Sequence, residues 1–317
     1  MAGVGKTTLA LNLYKTSSVV HHFDLQAWCT VSQNYQKREL MLTILDQVRA
    51  DSMDAKKLDD EDLADMLCRS LKQGRYLIVI DDIWDVDAWN YLKRCFPKGK
   101  QGSRILVTTR YAKVASEIKS KVYTLMGLTK DESWELLHQK ISNKGGIPKN
   151  LLSIAKEISD SCKGLPLSIV VTAGILSEIE ASEHKWNQIA ESIVSHILDD
   201  VHSQCKAILE LSYSYLPDHL QSCFLYFGVF PEDMEISVSQ LITLWIAEGF
   251  VQDYETNSLE DVAKKYVVDL ITRSLVIFSK ERSLGGVKTC RVHDLLHEFC
   301  KEKTKETYCG ECVCLCV

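Results

Sequence analysis

Apolar and polar positions in the first third of the chain change repeatedly between the pattern of strands and the pattern of helices. Residues 23–31 form a run rich in aromatic and β-branched side chains, which predicts a strand. Leu40, Ile44 and Val48 recur at helical spacing, so a helix is predicted over residues 37–49. Strands that alternate with helices are typical of a parallel sheet covered by helices, and we therefore predict an α/β domain here.

Two further apolar runs end in polar side chains. Residues 76–84 place an apolar run directly before Asp81 and Asp82, and residues 103–110 form a third predicted strand that ends at Arg110. Because ligands bind at the carboxyl ends of parallel strands, these side chains are predicted to lie at a binding edge. Two simpler interpretations stay open: the aspartates could belong to a turn, and the arginine could be bonded to a neighbouring carboxylate.

Helical periodicity dominates from residue 133 to residue 163. Gly164 then ends a helix, and Pro166 begins the next one, because proline suits the first helical turn. Residues 167–176 are apolar nearly all round, which indicates a buried helix. This part of the chain is predicted to be a helical subdomain.

The pattern beyond residue 205 predicts short helices followed by a β-hairpin, which is the order of a winged-helix domain. The predicted helices cover residues 206–213, 217–227, 239–247 and 258–274, and the hairpin strands cover residues 275–278 and 288–292 around Gly285 and Gly286. A helix that reads DNA needs polar groups and cations, whereas residues 238–246 contain no lysine or arginine. We therefore expect no DNA binding and interpret the domain as a packing and switching element.

Length and composition limit the number of domains and the class of protein. A chain of 317 residues is too long for a single ordinary core and suggests two or three domains. With 46% hydrophobic and 25% charged residues it has the composition of a soluble globular protein, and its net charge of −6 argues against nucleic acid as the main partner. We expect no transmembrane segment, because no apolar run is long enough, and no signal peptide before the motif at Met1.

The twelve cysteines fall into two groups. The first eight are scattered singly through apolar or amphipathic stretches and are predicted to be reduced, mostly buried thiols, which indicates a cytoplasmic location. The others, Cys309, Cys312, Cys314 and Cys316, have metal-like spacing but lack a second ligand pair separated by a loop. We interpret this stretch as a cysteine-rich tail produced by a misread gene boundary; a thiolate metal site is the alternative.

The chain begins with a motif for phosphate binding. Residues 1–8 read M-A-G-V-G-K-T-T, which is G-x-x-x-x-G-K-[ST] without its first glycine. Glycines let consecutive backbone N–H groups curve around phosphate oxygens, and the helix that follows presents its positive end to the anion. The predicted nucleotide-binding residues at this end are Gly3, Val4, Gly5, Lys6, Thr7 and Thr8.

Together with Asp81 and Asp82, this loop predicts a site for ADP or ATP and Mg²⁺. Lys6 would reach the β- and γ-phosphates, and the Thr7 hydroxyl would ligate the metal. Asp81 would hold Mg²⁺ through water, and Asp82 would be the catalytic residue that orients or deprotonates an attacking water. Arg110 would contact the γ-phosphate, since a guanidinium suits planar anions.

The order of these motifs resembles the NB-ARC module of plant nucleotide-binding leucine-rich-repeat immune receptors, in the branch with an N-terminal coiled coil. The resemblance runs from Met1 to about Glu302. It is carried, in chain order, by residues 1–8, residues 23–33, residues 76–84 ending at Trp84, residues 102–110, Gly164-Leu165-Pro166-Leu167, residues 223–233, residues 244–251 and Val292-His293-Asp294.

The resemblance implies roles for two residues of the second half. Pro166 would pack against the adenine and ribose, and His293 would contact the β-phosphate of ADP. With ADP bound, the His293 contact would hold the module closed, whereas the γ-phosphate of ATP would favour a second arrangement through Arg110. The local sequence also allows simpler interpretations: a helix junction without ligand at Pro166, and a helix cap at His293.

The implied fold is an α/β parallel-sheet P-loop NTPase domain followed by a helical subdomain and a winged-helix domain. We place these domains at residues 1–125, 126–204 and 205–302, with the tail at residues 303–317. The implied function is an ADP/ATP-dependent switch of a plant intracellular immune receptor, with an ADP-bound resting state and slow ATP hydrolysis. The implied partners are a pathogen effector or a guarded host protein, engaged indirectly, and further copies of the chain in an oligomer formed on activation.

The missing first glycine predicts a chain that is truncated at its N-terminus. The first strand of the sheet is expected just before Met1, so its absence would leave a gap in the centre of the sheet, with unpaired backbone groups on either side. No leucine-rich periodicity follows the winged helix, which predicts truncation at the other end as well. Two alternatives to the switch therefore stay open: a fragment that does not bind nucleotide, and a conventional P-loop NTPase that acts on a separate substrate.

Overall fold

The chain divides into two units. The computed structural model describes residues 3–31, 35–49, 53–97, 102–118, 120–142, 146–195, 201–252, 258–281 and 286–308. One unit comprises Gly5–Leu125 together with Met1, and the other comprises Ala2–Val4 and Met126–Val317. The four cysteines of the predicted tail lie outside the described residues.

A three-stranded parallel sheet organises the first unit. Its strands, hydrogen-bonded in this order, are β1 (Leu25–Thr30), β2 (Tyr76–Asp81) and β3 (Arg104–Val107). In the parallel register, Thr30 lies opposite Asp81, and Ile80 lies opposite Val107. Every residue of β2 is buried, which agrees with the apolar run that predicted this strand.

Helices cover this sheet and supply the rest of the first core. They are α1 (Lys6–Lys15), α2 (Ser17–His22), α3 (Lys37–Val48), α4 (Asp60–Leu71), α5 (Val86–Lys93) and α6 (Ala112–Glu117), with a 3₁₀ turn at Met53–Lys57. The carboxylate of Asp59 accepts a hydrogen bond from the Asp62 N–H and so caps α4, where the following acidic side chains suit the helix dipole. Ile44 of α3 and Leu63 of α4 are fully buried in the same core as Ile80 of β2.

The predicted gap in the centre of the sheet does not lie between the described strands. β1 pairs with β2 and β2 pairs with β3, so the expectation is wrong for these strands. The physical reason is that direct pairing satisfies the backbone groups of the central strand on both sides.

The second unit is mainly helical. Its helices are α7 (Lys130–Ser142), α8 (Leu152–Ser161), α9 (Pro166–Glu178), α10 (Glu183–Ser195), α11 (Val201–Ser214), α12 (Asp218–Leu225), α13 (Val238–Ala247), α14 (Leu259–Thr272) and α15 (Asp294–Tyr308), with 3₁₀ turns at Lys149–Leu151 and Tyr226–Val229. Helix α9 begins at Pro166 and is buried nearly all round, as its apolar sequence predicted. Within the described ranges, the chain offers no helix that is long and apolar enough to cross a membrane.

A small antiparallel sheet completes the second unit. Its strands are β4 (Ile236–Ser237), β5 (Ile277–Glu281) and β6 (Val287–Arg291), in the order β4-β6-β5. The predicted hairpin is therefore present, although β5 begins later than residue 275, because the N–H groups of Leu275 and Val276 both donate to Leu270 O of α14. Helices followed by this wing, together with the parallel sheet of the first unit, confirm the predicted fold class.

Candidate functional site

The loop that precedes α1 has a backbone conformation suited to an anion. Gly3 and Gly5 have φ values of 70° and 92°, in the left-handed region that favours glycine. Gly5 is the N-cap residue of α1, and the first turn of this helix contains no acidic residue. The N–H groups and positive dipole of the helix N-terminus therefore meet no carboxylate from that turn, which suits a phosphate.

The first side chains of α1 carry the chemistry that a nucleotide and a metal require. Lys6 and Thr7 are half-buried at the start of the helix, and Thr8 is exposed. One turn further along, Ala10 packs in a small apolar cluster with Leu77 and Val79 of β2. The ammonium of Lys6 fits a phosphate, and the Thr7 hydroxyl with the Asp81 carboxylate supplies the hard oxygen donors that Mg²⁺ prefers.

Four side chains form a hydrogen-bonded group at the carboxyl ends of β2 and β3, which we call the aspartate cluster: Asp81, Asp82, Thr108 and Arg110. Thr108 Oγ1 donates to Asp81 Oδ1 at 2.5 Å and accepts from the Asp82 N–H at 2.8 Å. Asp81, Asp82 and Thr108 are buried. The structure thus brings together three residues that the sequence selected and adds Thr108, which it did not.

Arg110 is bonded to Asp82 in this cluster. Its Nε and a terminal nitrogen donate to the two carboxylate oxygens at 3.1 Å and 2.7 Å. Its guanidinium also lies over the ring of Trp84, 4.7 Å from the centroid, and Trp84 contacts Tyr111. The simpler interpretation of Arg110, an arginine paired with a neighbouring carboxylate, is therefore the arrangement observed. Its contact with a γ-phosphate stays a prediction.

Strand register explains how the sequence could have revealed Thr108. Val107, the last residue of β3, pairs with Ile80 in the parallel ladder, so the residue that follows the strand, Thr108, falls beside Asp81. The Thr108 N–H donates to Ile80 O at 3.0 Å, and Thr108 O accepts from the Ile83 N–H at 2.9 Å. The signal is thus a polar residue directly after an apolar strand, but it becomes readable only when the register is known.

Two predicted site residues lie in the second unit, to which Gly3 and Val4 also belong. Pro166 is the first residue of α9, and the N–H of the following Leu167 donates to Gly3 O at 3.3 Å. A Cβ atom on Gly3 would lie 3.2 Å from Leu167 Cβ and 3.6 Å from Leu295 Cδ1. The starts of α9 and α15 therefore both lie close to Gly3.

His293 caps α15. Its Nδ1 accepts a hydrogen bond from the Leu295 N–H at 3.2 Å, and its carbonyl accepts from the Leu296 N–H at 2.8 Å. The helix-cap interpretation is therefore realised in the structure. It is compatible with phosphate binding, because a neutral imidazole that accepts at Nδ1 carries its proton on Nε2, where it is a donor. The contact with ADP itself stays a prediction.

Two family models match separate parts of the chain. Residues 1–145 match the NB-ARC domain family, and residues 229–300 match the disease resistance protein winged helix domain family. The first match includes the loop before α1 and the aspartate cluster, and the second includes His293.

Resistance protein homologs are similar to this chain over almost its whole length. It is 45% identical over 309 residues to the putative late blight resistance protein homolog R1B-16 of Solanum demissum, and likewise to the homolog R1B-12 of the same plant. These alignments cover 96% of this chain but 24% and 23% of the relatives, so the chain spans about a quarter of their length.

A solved structure shares the fold. The chain superposes on the crystal structure of a Signal Transduction ATPase with Numerous Domains (STAND) protein with a tetratricopeptide repeat sensor from Pyrococcus horikoshii, with a TM-score of 0.61 and 16% identity. The superposition covers 98% of this chain and 41% of that protein. At this identity the likeness concerns the fold alone.

Proposed function

The chain carries an NB-ARC domain and a disease-resistance winged-helix domain, and we propose that it works as the ADP/ATP-dependent switch of a plant intracellular immune receptor. The observation that carries the proposal is the left-handed Gly5 at the N-terminus of α1, followed directly by Lys6 and Thr7. Similarity to late blight resistance protein homologs supports the biological setting. We propose domains at residues 1–125, 126–204 and 205–302.

The proposed site holds the nucleotide by its phosphates. The residues from Gly3 to Thr8 would surround the phosphates, with the Lys6 ammonium on the β- and γ-phosphates. Thr7 and Asp81 would hold Mg²⁺, directly and through water respectively. When bound, this ion neutralises phosphate charge. Pro166 would pack against the base.

Slow hydrolysis fits the state of Asp82. In the proposed reaction, water adds to the γ-phosphorus, its proton passes to Asp82, and ADP leaves as the bond to the γ-phosphorus breaks. Both oxygens of Asp82 accept hydrogen bonds from Arg110, and a proton taken from water would neutralise the carboxylate and weaken this charge-assisted pairing. We propose that this cost keeps turnover slow and regulatory.

Switching would depend on two residues that sense different phosphates. His293 would donate from Nε2 to the β-phosphate of ADP and hold the resting state, while Arg110 would contact the γ-phosphate of ATP. These two contacts can shift the equilibrium between the ADP-bound and the ATP-bound arrangement only if the free energy of each contact differs between the two arrangements.

The proposal places this switch in the cytoplasm, where a pathogen effector or a guarded host protein would act on it indirectly. The free cysteines of the described residues support a reducing compartment. An oligomer formed on activation is part of the same proposal. We propose no DNA binding, because α13 exposes no lysine or arginine and buries Leu241 and Trp245 in the core.

The nucleotide content of the purified chain tests the proposal. The protein is denatured, and released ADP and ATP are separated and quantified per chain, for the wild type and for the variants Lys6→Ala and Lys15→Ala. Lys15 is the matched control, because it lies on the same helix at its opposite end. We expect near-stoichiometric ADP in the wild type and in K15A, and loss of ADP in K6A.

Any other outcome of these measurements contradicts part of the proposal and favours a different interpretation. A wild-type chain that is empty and does not bind added ADP contradicts the switch and supports a fragment without nucleotide binding. Fast ATP turnover that depends on an added acceptor substrate would instead support a conventional P-loop NTPase. Equal nucleotide content in K6A and the wild type would show that the nucleotide does not bind at the α1 loop.

A further inference from the structure

We propose that Thr108 is a positioning residue that sets the geometry of the Mg²⁺ carboxylate and of the catalytic carboxylate together. The inference rests on the proposed function, because it concerns the metal and the water that Asp81 and Asp82 would serve. It assigns a role to a side chain for which the sequence motifs predicted none.

The direction of the hydrogen bonds at Thr108 follows from simple chemistry. A backbone N–H can only donate, so Thr108 Oγ1 is the acceptor in its 2.8 Å contact with Asp82 N. The single hydroxyl proton is then donated to Asp81 Oδ1 at 2.5 Å, a short distance typical of a hydroxyl bonded to a carboxylate. The hydroxyl thus holds the Asp81 side chain in one orientation, as outer partners of metal ligands do.

The same hydroxyl holds an unusual backbone conformation at Asp82. This residue has φ of 54°, in the left-handed region that few side chains adopt. The backbone of Thr108 is bonded to the residues on both sides of the aspartate pair, Ile80 and Ile83. Loss of the hydroxyl would leave the buried Asp82 N–H without this acceptor, and the conformation that presents the Asp82 carboxylate to Arg110 would lose its support.

Thr109 provides a matched comparison on the next residue of the chain. Its Oγ1 donates to Ile83 O at 2.7 Å and accepts from the Tyr111 N–H at 3.1 Å. The two threonines therefore have the same pattern of one donated and one accepted hydrogen bond. Thr108 bonds to a carboxylate, whereas Thr109 bonds to backbone groups only, so a purely structural role predicts similar effects for both.

The experiment measures how much Mg²⁺ the full chain requires to bind ADP. Binding of ADP is followed by calorimetry over a series of Mg²⁺ concentrations, for the wild type and for Thr108→Val, Thr108→Ser and Thr109→Val. ADP binding measured in EDTA gives the affinity in the absence of metal. We expect T108V to raise the Mg²⁺ concentration for half-saturation by about 10-fold, the lower end of the range for partners of metal ligands, because Asp81 would reach the ion through water. T108S, which keeps the hydroxyl, and T109V should stay close to the wild type.

The outcomes separate the role of Thr108 from the proposed function. If T108V and T109V shift the Mg²⁺ requirement equally, or neither shifts it, Thr108 is not a positioning residue. If T108V does not fold, Thr108→Ala replaces it, because alanine removes the hydroxyl without adding a methyl group, and an unchanged Mg²⁺ requirement in folded T108A overturns the proposal. A wild type that binds no ADP at any Mg²⁺ concentration overturns the proposed function, and this inference falls with it.

Discussion

Arg110 is the residue on which the aspartate cluster depends for charge balance. Its side chain is 14% exposed and that of its partner Asp82 is 9% exposed, so the two charges lie largely out of water. Two hydrogen bonds and the ring of Trp84 hold the guanidinium in place. In such surroundings the loss of one partner is costly mainly because the other charge is left buried.

We therefore expect Arg110→Ala to lower the free energy of unfolding by about 3–5 kcal/mol, the range for a broken buried ion pair. The control is Arg69→Ala, because Arg69 and Asp65 form an exposed pair at 3.5 Å on α4. An exposed pair contributes about 1 kcal/mol or less, so R69A should be nearly neutral. Urea unfolding of both variants gives the comparison, and equal losses would contradict the burial argument.

Sequence reasoning places a residue well where it belongs to a short motif. An apolar run leads directly into Asp81 and Asp82, and the strand predicted from this run is observed at Tyr76–Asp81. Thr108 was missed because its contact with Asp81 joins residues 27 positions apart and depends on the register of β2 and β3. A pattern along one segment carries no information about the register between two segments.

Helix α9 and the end of α14 approach each other unusually closely in the second unit. A Cβ atom on Gly174, in the middle of α9, would lie 2.1 Å from the carbonyl oxygen of Arg273. The Arg273 guanidinium donates from Nε to Asp269 at 2.7 Å and contacts Glu178, the last residue of α9, at 3.5 Å. The glycine permits the backbone approach, and the arginine links the two elements beside it.

Gly174→Ala tests this contact, because helix propensity and steric overlap predict opposite changes in the free energy of unfolding. Alanine is favoured over glycine inside a helix by about 1 kcal/mol, so propensity alone predicts stabilisation. The steric overlap with Arg273 should reverse the sign and destabilise the unit by about 1–3 kcal/mol, as overpacking does. Ser177→Ala on the same helix is the control and should change the free energy of unfolding little. A stabilised G174A in urea unfolding would show that α9 and α14 separate without cost.

A carboxylate links side chains of the wing in addition to its strand pairing. Glu235, just before β4, accepts from Lys280 of β5 at 2.8 Å and from the Thr289 hydroxyl of β6 at 2.6 Å. The hydrogen bond from Lys280, followed by that from Thr289, lowers the pKa of Glu235 below its usual value of 4.5. Because the pKa is lowered in the folded state, the carboxylate stabilises the wing above pH 4.5, and this contribution is lost as the pH falls through the lower, folded value.

Glu235→Gln should therefore lower the melting temperature at neutral pH, and its difference from the wild type should vanish on acidification. Glutamine keeps the shape of the side chain but removes the charge that pairs with Lys280. Glu281→Gln, at the exposed end of β5, serves as the control for the loss of one negative charge from the wing. Melting curves recorded from neutral pH downwards would contradict this account if the deficit of E235Q stayed constant at every pH.

Long elements with a clear period were predicted well, and short elements were not. The buried helix α9 and the strand β2 each carry a continuous apolar run that fixes their type. Strand β4 has two residues, Ile236 and Ser237, and exists only because it pairs with β6. Two residues have no periodicity, so tertiary pairing alone creates such a strand.

At the scale of the whole molecule, the two units differ in what each contributes to the proposed switch. The first has α1, which begins after Gly5, and the aspartate cluster, and the second has Gly3, Pro166 and His293. A nucleotide that binds the folded chain stabilises it, by about 2.7 kcal/mol at a hundredfold excess over its dissociation constant. If His293 contacts the β-phosphate, part of this stabilisation by ADP belongs to that single side chain.

His293→Asp separates the two roles of this residue. Aspartate is a strong N-cap residue, so it should replace the hydrogen bond that Nδ1 now accepts from the Leu295 N–H and keep the nucleotide-free protein as stable as the wild type. Its negative charge would repel a phosphate, so ADP should raise the melting temperature of H293D much less than that of the wild type. His293→Ala is the second variant: it removes both roles and should lower the melting temperature with and without ADP. Equal stabilisation of H293D and the wild type by ADP would show that His293 caps α15 and does not sense the nucleotide, because a ligand biases only those contacts whose free energy depends on it.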